Sequence, residues 1–377
     1  MLHVAQISFF VDPQRRDPER MLDDWHSLPD AARATAEAGL RVSVVQASSV
    51  EGSLVRDGVA YSFIAPDRPG ALLTRSARFA TLLHSLAPDV LHVHGMCFPR
   101  EVLGLRELAP TTPLLLQDHA EAIPRLWRRR LWKSGAAVAD GMIFCTRDQA
   151  EQFMRLKLIG PHTPIFEIPE SASGFTPGDQ SAAREITGMH GNPAVLWVGR
   201  LDRNKDPLAV LDGIAAAVPK LPNLAFWMCF GGGPLLEAVE VRIRNDERLR
   251  DRVKLLGCVP RERVQQLMRA ADLFVLGSHR EGCSYSLMEA LASALPAAVS
   301  NIPSSRALLG EGAEAGGRLW PCGDSAALAR VLCELAAAPR ERLRASARAR
   351  FDSHLSPHAV GARLAAAYQT CVVRKVA

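Results

Sequence analysis

Short apolar runs alternate along the first half of the chain with stretches whose apolar residues recur every three or four positions. The runs at 2–8, 41–47, 59–64, 90–94, 113–117 and 141–145 read as strands, and stretches such as 30–38 and 71–86 carry helical spacing. Alternation of this kind predicts parallel βαβ units. The segment 168–191, IPESASGFTPGDQSAAREITGMHG, is rich in Gly, Pro, Ser and charge, and reads as a linker. From Ala194 the alternation resumes, with strands at 194–198, 224–230, 253–256, 273–276, 297–300 and 318–320 separated by helices of about ten to fifteen residues. The expectation is therefore an α/β protein of two doubly wound, Rossmann-like domains, at 1–175 and 176–355. Open parallel sheets bind ligands beyond the carboxyl ends of their strands, so two of them facing one another would form a central cleft supplied by loops of both.

Composition narrows the class. A chain of 377 residues exceeds one ordinary core, and 48% hydrophobic with 23% charged residues is ordinary globular usage. The run from Val4 to Val11 contains polar Gln6 and Ser8, lacks a basic leader and meets Asp12-Pro13, so it reads as a buried strand rather than a signal peptide or membrane span. A formal charge of +5, spread widely, is too weak to argue for nucleic acid but suits an anionic substrate. The eight cysteines form no C-x-x-C pair and read as reduced thiols packed as small hydrophobes, which points to the cytoplasm. Frequent Arg and Ala suit a GC-rich bacterial source.

The chemistry concentrates in the second half. HREGCSYSLMEA, from His279 to Ala290, sets Glu281 and Glu289 on either side of a small-residue turn. Each acid has a plain reading: Ser286 and Glu289 match a capping box, and Glu281 suits a solvated loop. Between them, however, GCSYS can present consecutive backbone N–H groups at a helix start, a seat for phosphate oxygens. Carboxylates beside such a seat make sense as acceptors for sugar hydroxyls, so the ligand reads as a phosphorylated polyol. WVGRLDRNKDP offers Arg200 and Lys205, a bidentate and a compact partner for phosphate, on a loop after the first strand of this half. Gly232 and Gly233 of FGGGP allow close backbone approach at another strand end.

Taken in order, VGRLDRNK, FGGGPLLE, LGCVPRERVQQLMRAADLFVLGS and EGCSYSLMEALASALP resemble the donor domain of the retaining glycosyltransferases of family 4, which have the GT-B fold, over most of 194–335. The resemblance implies that Glu289 accepts hydrogen bonds from the ribose hydroxyls of a UDP- or GDP-sugar and that Glu281 sits by the transferred sugar. It implies further that Arg200 and Lys205 neutralise the diphosphate and that the backbone around Val259 meets the base. The N–H groups of Gly282, Cys283, Ser284, Tyr285, Ser286 and Leu287 would hold phosphate or sugar oxygens. In the first half, DVLHVHG and LLLQDHA look like the family's strand-end motifs, the latter offering His119 as the histidine facing the transferred sugar. SHLSPHAVGARLAAAYQTC resembles its terminal helix, so about 356–377 is expected on the first domain. The implied reaction moves a sugar to an acceptor hydroxyl with retention of configuration, with fixed cations in place of a metal and no cofactor.

Departures restrict what carries over. Glycines common after the family's first strand are replaced by SFFVDPQRRDPERMLDDWH, which leaves the acceptor open among a natural product, a saccharide and a lipid-linked sugar. Asp206-Pro207 follows Lys205 where a glycine is usual, and Pro303-Ser304 replaces a common glycine pair. His92 and His94 share a strand face, but no further zinc ligands are evident nearby. IPRLWRRRLWK places Ile123, Leu126, Trp127 and Leu131 on a helical apolar arc, with most of Arg125, Arg128, Arg129 and Lys133 opposite. That arc suits peripheral contact with the inner membrane face, an anionic acceptor or an ordinary amphipathic surface helix. Rival functions are a dinucleotide-dependent dehydrogenase, which lacks its G-x-G-x-x-G here, a sugar-nucleotide epimerase or hydrolase, and a silent binding protein.

Overall fold

HVAQIS is buried at every position and forms β1 (His3–Ser8), which hydrogen-bonds to parallel strands on both sides. In the computed structural model, which describes residues 1–312 and 315–376, the chain divides into two units. Unit 1 comprises Met1–Ala172 and the segment from Pro357; unit 2 is Ser173–Ser356.

Unit 1 continues with β2 (Arg41–Ala47), β3 (Gly52–Arg56), β4 (Val59–Ile64), β5 (Val90–His94), β6 (Leu114–Gln117), β7 (Gly141–Phe144) and β8 (Ile165–Glu167). The sheet order is β3-β4-β2-β1-β5-β6-β7-β8, parallel throughout except for β3 against β4. Unit 2 holds β9 (Ala194–Gly199), β10 (Ala225–Phe230), β11 (Val253–Gly257), β12 (Leu273–Leu276), β13 (Ala297–Ser300) and β14 (Gly317–Trp320). They form one parallel sheet in the order β11-β10-β9-β12-β13-β14. Each sheet departs from sequence order at a switch point, where an open sheet leaves room for ligand at its strand ends.

The helix from Pro357 packs in unit 1 against the helix Ser27–Glu37, burying Val360, Leu364 and Tyr368 with Val4, Ala34 and Val90. Gly361 permits this: a Cβ there would lie 2.0 Å from the Ala34 carbonyl oxygen.

Several local expectations are corrected. The strand beginning at residue 3 stops at Ser8, leaving Phe10 47% and Val11 39% exposed. β3 is an exposed edge strand, closed on β4 by Asp57-Gly58, both at positive φ. The helix expected over 71–86 starts at Ala77, after a 3-10 turn at Leu73–Arg75. Within 168–191 the helix Gln180–Thr187 forms because the Asp179 side chain accepts from the Ala182 N–H and Gly188, at φ 71°, closes the other end.

The arc expected from Ile123 does not form either. Arg125 is extended after Pro124, a 3-10 turn follows at Leu126–Arg128, and the α-helix spans Arg129–Ala137. Its phase turns Trp132 inward, stacked on Phe153 with ring centroids 5.8 Å apart, and leaves Leu126 and Trp127 exposed. Among the described residues no helix is long and apolar enough to cross a membrane. The packing expected of the cysteines holds for Cys229 and Cys371, whereas Cys97, Cys258 and Cys322 are exposed.

Candidate active site

In unit 2, the loops after β9, β10, β11 and β12 surround a cavity of about 460 Å³. Lys205 and Glu281 enter it from two loops that clasp each other. The Asn204 side chain donates to the Arg280 carbonyl (2.9 Å) and accepts from the Arg280 N–H (3.0 Å), while the His279 N–H donates to the Asn204 carbonyl (2.8 Å). Lys205 Nζ thereby lies 2.5 Å from Glu281 Oε1, with both side chains largely buried. Asp206 stands where the family's glycine was missed, and its backbone is left-handed, at φ 43°. Its carboxylate offsets that strain by accepting from the Ala209 N–H (3.3 Å) and pairing with His279 (2.8 Å).

Glu289 lies in the helix Tyr285–Ala292 and is 7% exposed. The helix is preceded by Ser284, which makes no side-chain cap, and Ser286 already lies in its first turn, so the capping box is corrected. Glu289 instead accepts from Arg261 Nε (3.3 Å), and Arg261 also donates to the Tyr285 hydroxyl (3.3 Å). The Arg261 guanidinium lies 5.1 Å from the ring centroid of Phe175 and 5.7 Å from that of Tyr285.

Val259, Cys283, Tyr285 and Ser286 line the same cavity, as does Arg200, whose side chain is 75% exposed and pairs with Asp202 (3.0 Å). The structure thus brings Lys205, Glu281 and Glu289 into one cavity and leaves Arg200 at its open side. Ser284 and Leu287 are buried, and the Ser284 hydroxyl has no partner among the described residues. Gly282 precedes them in the same turn. Gly232 and Gly233 shape the neighbouring loop: Leu201 N–H donates to the Gly232 carbonyl (3.0 Å), and a Cβ on Gly233 would lie 2.3 Å from the Leu201 carbonyl oxygen. It is Gly231 that lines the cavity. Arg261, Cys229 and Cys258 escaped the sequence reading because they gather here only through the fold.

Unit 1 carries a second cavity, also about 460 Å³, at the ends of β1, β2 and β5. His119 lines it, with Nδ1 2.7 Å from Glu170 Oε1 and Nε2 3.2 Å from His94 Nδ1; His94 Nε2 is 3.3 Å from Gln6 Oε1. Burial penalises charge on His119, but Glu170, then Glu121 and Asp118, outweigh it and raise its pKa to about 9. Burial, then His92 and His119, hold His94 well below the usual histidine range. The directions of these shifts favour His119 as the donor toward Glu170 and His94 as its uncharged neighbour. His92 stacks on His94 at 4.3 Å and is held near 3, chiefly by burial. Among the described residues no group of three or more His, Cys, Asp or Glu is placed to hold a metal ion.

Residues 192–338 match the family model described as Glycosyl transferases group 1, and residues 28–169 that described as Glycosyltransferase Family 4. A D-inositol 3-phosphate glycosyltransferase of Nocardia farcinica is 29% identical over 185 residues, which are 47% of this chain and 41% of the relative. An Escherichia coli UDP-Gal:alpha-D-GlcNAc-diphosphoundecaprenol alpha-1,3-galactosyltransferase is 30% identical over 183 residues, 46% of each. The matched stretch spans less than half the length of these curated relatives. In fold, the chain is similar to sucrose-phosphate synthase from Thermosynechococcus elongatus, with a TM-score of 0.74 at 18% identity, over 99% of this chain and 100% of that one.

Proposed function

The chain belongs to the GT-B glycosyltransferases, and from that premise we propose that it transfers a sugar from a nucleoside diphosphate to an acceptor hydroxyl with retention of anomeric configuration. The observation that carries this reading is the meeting of Lys205, Glu281 and Glu289 around one cavity at the strand ends of unit 2. Glu289, oriented by Arg261, accepts from the ribose hydroxyls, and Glu281 lies beside the sugar. Lys205, joined by Arg200 turning from the surface, balances the diphosphate together with the N–H groups that begin the helix Tyr285–Ala292. Uridine is the favoured base, since the Escherichia coli relative is named for a UDP-sugar.

In the transfer, the bond from the anomeric carbon to the diphosphate oxygen breaks as positive charge builds on the sugar ring. Fixed cations and backbone dipoles stabilise the departing diphosphate without reorganising, which is where the protein contributes most to the rate. The acceptor oxygen bonds to the anomeric carbon on the face the diphosphate leaves, and its proton passes to a leaving phosphate oxygen. No side-chain base is required, consistent with His119 being held protonated.

Incubation with panels of UDP- and GDP-sugars and hydroxyl acceptors, followed by mass spectrometry and proton NMR, tests the reading. The expected product is a glycoside with the donor's anomeric configuration, formed equally in excess EDTA. Free sugar alone would identify a hydrolase, and an inverted glycoside would remove the front-face mechanism.

A further inference from the structure

The cavity of unit 1 is walled by the segment that replaces the family's usual glycines. The rings of Phe10 and Trp25 pack at 5.1 Å, tilted by 56°, and Leu22, Leu28, Phe63 and Phe98 complete an apolar lining. Its volume of about 460 Å³ falls within the range of small-molecule sites.

The charges around it are few. No Lys or Arg is found among the described residues that line the cavity. His119, its one cation, is bound to Glu170 at 2.7 Å, and Glu121 lies beside it with its carboxylate accepting from the His119 and Met96 N–H groups, both at 2.7 Å. Arg16, whose guanidinium lies 5.4 Å from the Trp25 ring centroid, is held by Asp12 (3.0 Å) and Asp24 (2.9 Å). The carboxylates of Glu170, Glu121, Asp12 and Asp24 outnumber the cations His119 and Arg16, so a phosphate entering the cavity would lose its hydration and meet a net repulsion.

Partners for hydroxyls are few: beside the Ser8 and Ser27 hydroxyls, the polar lining is largely engaged within the protein. The Gln46 amide donates to the Phe10 and Ala47 carbonyls (2.5 and 2.9 Å), and His94 is engaged by His119 and Gln6. A hydroxyl or two brought near Ser8, Ser27 and the Glu121 carboxylate can be matched, whereas a polyol hydroxylated all round would bury the rest against aromatic rings. We propose that this cavity is the acceptor site and that its occupant is an uncharged, ring-bearing alcohol with a flat apolar body, not a sugar phosphate or free polyol. The inference rests on the glycosyl-transfer reading for the word acceptor, but the ligand chemistry stands on the cavity alone. It separates this chain from its Nocardia farcinica relative, which is named for an inositol phosphate.

The test is calorimetric titration of the full chain with 2-naphthol, 2-naphthyl phosphate, myo-inositol and myo-inositol 1-phosphate, each with and without saturating UDP. We expect 2-naphthol to bind and its phosphate to bind about 10-fold more weakly or worse, with neither inositol detected. Trp25→Ala should weaken 2-naphthol by about 10-fold through loss of ring contact. Phe10→Arg, at a half-exposed position that tolerates charge, should narrow the gap between 2-naphthol and its phosphate. Wild-type binding of either phosphate as tight as 2-naphthol overturns the proposal, as does 2-naphthol binding that neither substitution changes, or none at all. UDP separates the two readings. UDP binding without 2-naphthol binding sinks only this inference, while the reverse leaves the cavity's chemistry standing and removes the donor site.

Discussion

His119 joins two opposing effects at one residue: burial disfavours its charge, and the carboxylates of Glu170, Glu121 and Asp118 restore it with a surplus. The sign of the pH dependence follows. A histidine whose pKa rises from 6.5 to about 9 on folding contributes stability that is fully present below 6.5 and is lost as pH rises through 9. Denaturant unfolding should therefore show stability falling between pH 6.5 and 9, and His119→Gln should flatten that part of the profile. An unchanged slope in the variant would mean that another group carries the proton. The residues legible in the sequence were those whose meaning is local: Glu281, Glu289, Lys205 and Val259 sit in ordered motifs and do meet in one cavity. Arg261 was illegible because its importance comes from Glu289, 28 positions away in sequence and 3.3 Å away in space. Gly233 looked like a point of ligand approach and proves to be one of approach by Leu201, a distinction that a glycine's permissive backbone does not reveal.

At the scale of elements, the helix from Pro357 secures unit 1 through one close crossing. Replacing Gly361 by Ala drives a methyl group into the Ala34 carbonyl, which the helix can relieve only by moving. We expect a cost of about 1 to 3 kcal/mol, seen as a melting temperature lower by about 2 to 10 °C, with UDP affinity unchanged because the cavity proposed for the donor belongs to unit 2. A melting temperature equal to wild type would show that the crossing yields easily. The long buried strands were legible because apolar runs flanked by turns have few alternatives. β3 was missed because exposed edge strands carry no apolar run, although Asp57-Gly58 signalled its hairpin. The stretch around Trp132 was misread by helical phase: Pro124 and the 3-10 turn reset it, and about half a turn, roughly two residues, suffices to exchange inside for outside.

Over the whole molecule, the class of fold was legible in the alternation alone, because βαβ units leave few topologies open. The grouping of residues around a cavity was legible in one half more than in the other. Unit 2 keeps its motifs in order, so its cavity could be populated in advance, whereas in unit 1 the motifs supply only His94, Gly95 and His119 to the cavity, and the stretch from Phe10 to Pro29 that lines much of the rest has no counterpart in them. The central claim, that the cavity of unit 2 holds a nucleoside diphosphate through Glu289, is tested most directly by titrating UDP into the wild-type chain and into Glu289→Ala while following the melting temperature of each. Measurable UDP binding to the wild type is expected, with a loss of about 1 to 3 kcal/mol in the variant and the fold intact. UDP binding of equal strength in the two, or a variant that loses stability and no affinity, would contradict it.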